Sequence, residues 1–414
     1  MKGLRRVATL RHRNEQGAVL PLALFAVVIL GGLAAALLGV GTNEVQIADN
    51  LARSAQAQYL AEAGVEDAFN SFKTTPSLVA NAPPGLTAVP GLRGPGATVA
   101  ALGTYTVQYR GTGLNTALVV STGTTAIGSA QRVLRATMTT SFTSNDAIRT
   151  RRDLMISGNP TVTGACGTAH ANGNFMISGN PSLSGNATAS GTYTVSGNPT
   201  AGPGSGRGKP LKAIPPVNPA EFLAAAKKSL PANQLYQMLG DGRVLAGDGA
   251  LLTTLAPGAE YRGWKYLAGT PARWDLSANT GYDGTYYLEG NVTVSGNPGT
   301  PATPWRTSVI ATGDIEISGN PVISTFMTDT LLVAGLDVKI NGNPNQSFTG
   351  LIAAHEQFSI SGNPSITGYI LAEDWPSTSG TVTENNLSGN PVIVYDCGLN
   401  PPVAGPLQIL TWGS

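Results

Sequence analysis

One short motif governs what this chain can fold into: an apolar residue followed by Ser-Gly-Asn-Pro. It begins at Ile156, Ile177, Val195, Val294, Ile317, Ile340, Ile360 and Leu387, with Asn341 in place of Ser in the sixth copy. Successive copies lie 21, 18, 23, 23, 20 and 27 residues apart, with one break of 99 residues after the third. Self-similarity at this period marks a solenoid, whose coils bury an apolar face only by stacking. Two residues before each motif stand Leu154, Phe175, Tyr193, Val292, Ile315, Val338, Phe358 and, as the polar exception, Asn385. The residue between is usually polar: Thr194, Thr293, Glu316, Lys339, Ser359, Asn386. Two residues after the Pro come Val162, Leu183, Ile323, Ile366 and Ile393. The unit is therefore strand, tight turn, strand, with side chains alternately in and out. Gly supplies positive φ, Asn tolerates the left-handed region, and Pro fixes φ and ends the pairing. Stacked copies would align Asn over Asn every ~4.8 Å as a ladder. The expected fold is mainly β, a right-handed parallel β-helix whose hand follows from the rule for parallel crossovers. The motif residues themselves are turn formers and receive no binding role.

Composition agrees. Of 414 residues only 12% are charged, while Gly (52) and Pro (28) are abundant. That balance suits short strands and tight turns. A mean hydropathy near zero without a charge excess argues against disorder. The net charge of +1 gives no sign of a nucleic-acid partner.

The N-terminus is different. Lys2, Arg5, Arg6, Arg11 and Arg13 precede an uncharged run from Ala18 to Val40, opposed only by Glu15. At ~1.5 Å per residue this run spans a bilayer core of ~30 Å. By the positive-inside rule the leader stays cytoplasmic and the rest is exported. An ordinary signal anchor is one reading. The other rests on Gln16-Gly17-Ala18-Val19-Leu20-Pro21, which resembles a class III prepilin signal; the resemblance implies cleavage by a prepilin peptidase between Gly17 and Ala18. Further on, Val45, Ala48, Ala52, Ala55, Tyr59, Glu62 and Glu66 fall at helical spacing, and no proline intervenes before Pro76. Ala57-Gln58-Tyr59-Leu60-Ala61-Glu62-Ala63-Gly64-Val65-Glu66-Asp67-Ala68 resembles the stretch that closes the long helix of PilX-type minor pilins. The resemblance covers residues 14–72. It implies an inner-membrane subunit with an exported C-terminal region, working with other pilin or pseudopilin subunits. Major pilins carry Glu at the fifth mature position; here it is Leu22, which implies a subunit used in small numbers.

Residues 76–100 read as a loop. Thr104–Tyr109, Thr116–Ser121 and Arg132–Met138 read as three strands of an antiparallel meander. A short helix is expected at 218–228, where Asn218 caps, Pro219 starts and Lys227 and Lys228 end it. The chain thus divides into a leader (1–17), a membrane and pilin-like helix (18–75), a small meander (76–145), a first solenoid block of three repeats (146–200), an insertion with the short helix (201–290) and a second block of five repeats (291–414). The insertion, with Trp264 and Trp274, is expected along or over one end of the solenoid.

Cys166 and Cys397 each lie six residues after a motif Pro. In a simple stack of eight coils they would be about 34 Å apart, beyond the ~7 Å that a disulfide allows. If the second block lies below and the first stacks on top of it, they become neighbours. Two buried thiols are the other reading.

No residues have catalytic or metal-ligand spacing, so an enzyme and a cofactor are not expected: His170 and His355 are far apart, and no phosphate loop or nucleophile elbow occurs. Asp314, Asp337 and Glu356 each precede a repeat, with Asp374 further on. Stacked, they would form an acidic column, read first as solvated turn residues and otherwise as a contact for cations or a surface glycan. Two classes of function remain. One is a non-enzymatic component of a type IV pilus or related secretion filament, displaying the solenoid as spacer, tip or adhesive surface. The other is a signal-anchored β-helix that binds or cleaves polysaccharide.

Overall fold

The structure, a computed structural model, describes residues 19–94, 100–113, 115–342, 346–375 and 384–413. It is mainly β, with a parallel solenoid of about 11 turns, a long apolar N-terminal helix and a small antiparallel sheet. Helix α1 runs from Val19 to Thr74 without a break, 56 residues or about 84 Å. Its first half is exposed among the described residues: Leu20, Leu22, Phe25, Leu30, Leu37 and Leu38 are all more than half exposed. The second half lies on a sheet through Ala57, Leu60, Ala61, Val65, Ala68 and Phe72, all buried. Tyr59 and Glu66 face solvent, because small residues let the helix approach the sheet closely and Tyr59 does not. At Gly64 an added Cβ would press into Ser121, Tyr105 and Val107. A short helix, α2 (Ser77–Ala80), follows α1.

The sheet has five antiparallel strands, in the order Thr87–Ala88, Gly103–Gly113, Thr116–Thr125, Gln131–Ser141 and Ala404–Gly413. The last strand corrects the expected boundary, which left 291–414 in the solenoid. Its alternation is that of any strand, and only long-range pairing sends it to Gln131–Ser141. The whole solenoid is therefore an insertion between two neighbouring strands of this head sheet.

Each coil has three faces. In the first coil of the sequence these are Ile148–Thr150, Leu154–Ile156 and Thr161–Thr163, here called faces one, two and three. Along the axis, face two runs Arg273–Leu276, Asn291–Val294, Ile315–Ile317, Val338–Gly342, Phe358–Gly362, Asn386–Leu387, Leu154–Ile156, Phe175–Gly179 and Tyr193–Gly197, all parallel. Coils late in the sequence lie below, and the first three continue the stack above them. Asn386–Leu387 pairs with Met155–Ile156, and Val392–Val394 with Thr161–Thr163. There are more coils than motifs because Leu235–Met238 and Arg273–Leu276, inside the 201–290 stretch, are solenoid strands without the motif. Helix α3 (Pro219–Ser229) packs along face one, its Asn218 side chain accepting from the Ala220 N–H.

The motif explains the stacking. Ile156, Ile177, Ile317, Ile340 and Ile360 have no exposed area, and burying each stabilises by about 1.5–3 kcal/mol. Asn180 donates to Asn159 (3.3 Å), Asn159 to Asn390 (3.1 Å) and Asn390 to Asn363 (2.7 Å), so the amide ladder crosses the joint between the two blocks. Asn343 and Pro344 of the sixth copy lie outside the described residues. Two expectations are corrected. Pro does not end the pairing: its carbonyl accepts from the following residue of the next coil, as Pro391 does from Thr161 (2.9 Å). Positive φ is also not general. Gly158, Gly179, Gly197, Gly362 and Gly389 have φ between 85° and 88°. Gly296 and Gly319 do not, and there Gly is needed because a Cβ would strike the backbone oxygen one coil below.

Candidate functional site

Gly17 and Ala18, the expected processing site, lie outside the described residues. Leu22 is 73% exposed on the bare part of α1. Among the described residues α1 is the one helix long and apolar enough to cross a membrane. Its length and composition are those of a membrane span.

Cys166 and Cys397 form a disulfide with Cα atoms 5.3 Å apart. It sits where the chain enters and leaves the solenoid. Around it Tyr369 Oη donates to the Phe142 carbonyl (2.6 Å) and Tyr395 Oη to the Ser144 carbonyl (2.8 Å). Burial pushes the Tyr395 phenol up to about 12, so both tyrosines remain donors. Asp146, almost wholly buried, pairs with Arg149 (2.7 Å) and Lys212 (2.6 Å) and accepts from Thr168 (2.6 Å). Burial pushes its carboxyl up, but the two cations outweigh it and hold the group below the usual carboxylate range.

The acidic column is not solvated. Asp314, Asp337 and Glu356 are 7%, 0% and 3% exposed. Asp314 Oδ1 accepts the Asp337 N–H (3.2 Å), and Asp337 Oδ1 accepts the Gln357 N–H (2.9 Å). Asn291 serves Asp314 in the same way, and Asp153 serves Asn174. At each corner a side-chain oxygen caps the backbone of the next coil, which an amide does as well as a carboxylate. Glu356 falls out of this column, for it stands four residues before its motif where Asp314 and Asp337 stand three. Burial, with Glu356 and Glu316 nearby, raises the Asp314 carboxyl. Asp374 accepts from Gln357 Nε2 (2.9 Å) and Asn385 Nδ2 (2.8 Å), which accounts for the polar Asn385 in an apolar column. No group of three metal-ligating side chains occurs among the described residues.

Sequence reasoning missed one cluster. Glu373 accepts from His355 Nδ1 (2.8 Å), Trp375 Nε1 (2.6 Å) and the Val217 N–H (2.9 Å). His355 lies against the Trp375 ring (6.0 Å), and the Arg151 guanidinium is 5.1 Å from the Trp375 ring centroid. Both carboxylate oxygens are engaged, Oε1 with Arg151 3.7 Å away as well, so the cluster ties the segment before α3 to the coils. Nothing in the spacing of these residues signals it, because they sit on consecutive coils 18 residues apart.

No family model matches the chain, and no curated protein matches it either. Among solved structures it is similar to the competence-associated pilin ComZ from Thermus thermophilus, with 13% identity over 87% of this chain and 97% of that one and a TM-score of 0.33. At that score the function must be argued from this chain's own residues.

Proposed function

We propose that the protein is a minor, non-enzymatic subunit of a type IV pilus or related secretion filament, anchored in the inner membrane by α1 and carrying its solenoid on the exported side. The observation that carries this reading is the division of α1, apolar to Val40, exposed to about residue 52 and packed on an antiparallel sheet beyond it. Such a helix can pass from the bilayer into a bundle of like helices without refolding its head. The disulfide suits an oxidising compartment outside the cytoplasm. Against the polysaccharide-cleaving alternative weighs the burial of Asp314 and Asp337, each of which caps a backbone N–H. In this reading the prepilin peptidase cuts between Gly17 and Ala18, and the solenoid serves as spacer, tip or adhesive surface.

The test is the mature N-terminus, read by mass spectrometry from cell envelopes with and without the peptidase. A chain beginning at Ala18 only when the peptidase is present, and found in sheared filaments, is the expected result. An intact terminus in both strains removes the pilin reading and leaves a signal-anchored β-helix.

A further inference from the structure

The solenoid is closed at one end and open at the other. At the Arg273–Leu276 end, antiparallel strands Trp264–Leu267 and Glu260–Tyr261 cover the last coil, with Trp264 and Trp274 fully buried. At the other end the final complete coil carries Tyr193–Gly197 on face two. Thr200 then bridges Ser182 on face three. The chain next begins another coil over face one, where the Gly206 N–H donates to Ala187 (3.0 Å) and the Lys209 N–H to Ala189 (2.9 Å). After Pro210 it turns back down, the Lys212 N–H donating to Asn172 Oδ1 (2.8 Å). Among the described residues this coil has its first face and no second, so the position above Tyr193–Gly197 holds no strand.

The exposure of Val195 shows the vacancy. It occupies the column of Ile156, Ile177, Ile340 and Ile360, which have no exposed area, yet is 49% exposed. The backbone is open as well. The Asn198 N–H points into the stack, donating to Gly179 (2.8 Å). By strand alternation Tyr193, Val195 and Gly197 direct their N–H and C=O groups to the open side. An edge of this kind is a template for an incoming strand. Its charge selects the partner. From Leu154 to Ala220 there is no Asp or Glu, while Arg207 and Lys209 stand in the segment over face one with no carboxylate partner among the described residues. A second copy docking by the same edge would bring like charges together.

We propose that this slot accepts an extended strand from another polypeptide, with an apolar side chain over Val195 and carboxylates facing Arg207 and Lys209. The slot belongs to the solenoid alone and does not depend on how α1 is processed.

The test uses the full chain in detergent and a fluorescent peptide of alternating Thr and Val flanked by Asp and Glu, followed by anisotropy. Saturable binding is expected, absent for a control peptide with Pro at its centre. Val195→Pro should weaken binding by about tenfold or more, since it removes an N–H that faces the open side and no bond within the stack. The Arg207→Glu, Lys209→Glu double variant should lose the acidic peptide and gain a Lys-flanked one. An unchanged melting curve for both variants separates loss of the slot from loss of the fold. Equal binding by wild type and Val195→Pro overturns the proposal. So does displacement of the peptide by duplex DNA or polyphosphate regardless of Val195→Pro, which would make the tip a general polyanion surface. Self-association of the wild type that Val195→Pro abolishes also overturns it, in favour of a contact between copies.

Discussion

Replacing both cysteines by serine should weaken the solenoid most at its internal joint. The disulfide closes a separation of 231 residues. In the chain-entropy description a loop of that length is worth about 5.5 kcal/mol at 25 °C, and removing a native disulfide commonly costs about 2–5 kcal/mol. The effect should be local. Neighbouring coils within one block are some 18–27 residues apart in sequence, whereas the coils that meet at the joint are tied only through the whole insertion. Closing that longer loop costs about 2 kcal/mol more than closing an ordinary coil. In a solenoid each coil's stability depends on its neighbours, so the joint is where the Cys166→Ser, Cys397→Ser variant should open first. Hydrogen exchange read by mass spectrometry can follow it. Peptides covering Val392–Val394 and Thr161–Thr163 should lose roughly a hundredfold or more in protection, while those covering Val338–Gly342 keep theirs. Unchanged protection at the joint, together with a melting transition within about 1 kcal/mol of wild type, would refute the reasoning.

Other substitutions probe the same architecture. Gly158→Ala places a Cβ 2.6 Å from the Gly389 carbonyl oxygen at φ 85° and should cost about 2–3 kcal/mol in chemical denaturation. Asp314→Asn keeps the oxygen that caps Asp337 and removes a carboxylate whose ionisation burial disfavours. That penalty is absent at low pH and grows as pH rises through the raised folded value, so the variant should melt above wild type at pH 7 and level with it at about pH 3. Asp314→Ala, which leaves the Asp337 N–H uncapped, should instead lose about 1–3 kcal/mol. Asp146→Asn has the opposite sign of pH dependence. Wild-type stability from Asp146 is present above its unfolded pKa of about 3.9 and is lost as pH falls through the lower folded value. The variant should cost about 3–5 kcal/mol at pH 7 and show a shallower acid limb, measured by thermal melts across pH.

The repeat was legible because it is local. A strand period of two and a turn of Ser-Gly-Asn-Pro state the coil without reference to the rest of the chain. The inverted order of the two blocks was also within reach, since two cysteines in the same phase of their coils meet only in that arrangement. Three things were not legible. The strand Ala404–Gly413 carries no mark of its partner. The helical spacing gives the unbroken run of α1 but not its buried face, which belongs to small residues, Ala57, Ala61, Gly64 and Ala68, that carry no hydrophobic signal of their own. The acidic residues were read as solvated because charge alone does not reveal a backbone N–H waiting one coil away.

The order of the stack has a consequence for how the molecule is made. In the proposed export the coils at 148–197 would leave the membrane early, yet the surface on which they rest is built from 386–394. The head sheet waits as well, lacking its edge until 404–413 arrives. During export the early coils must hold together on their own or remain open. A chain cut short between the first block and residue 386 would present both an uncovered stack and an incomplete head, whereas one cut between 395 and 403 would lack only the edge of the head. The stack is thus completed by 386–394 and the head by 404–413, in that order along the chain.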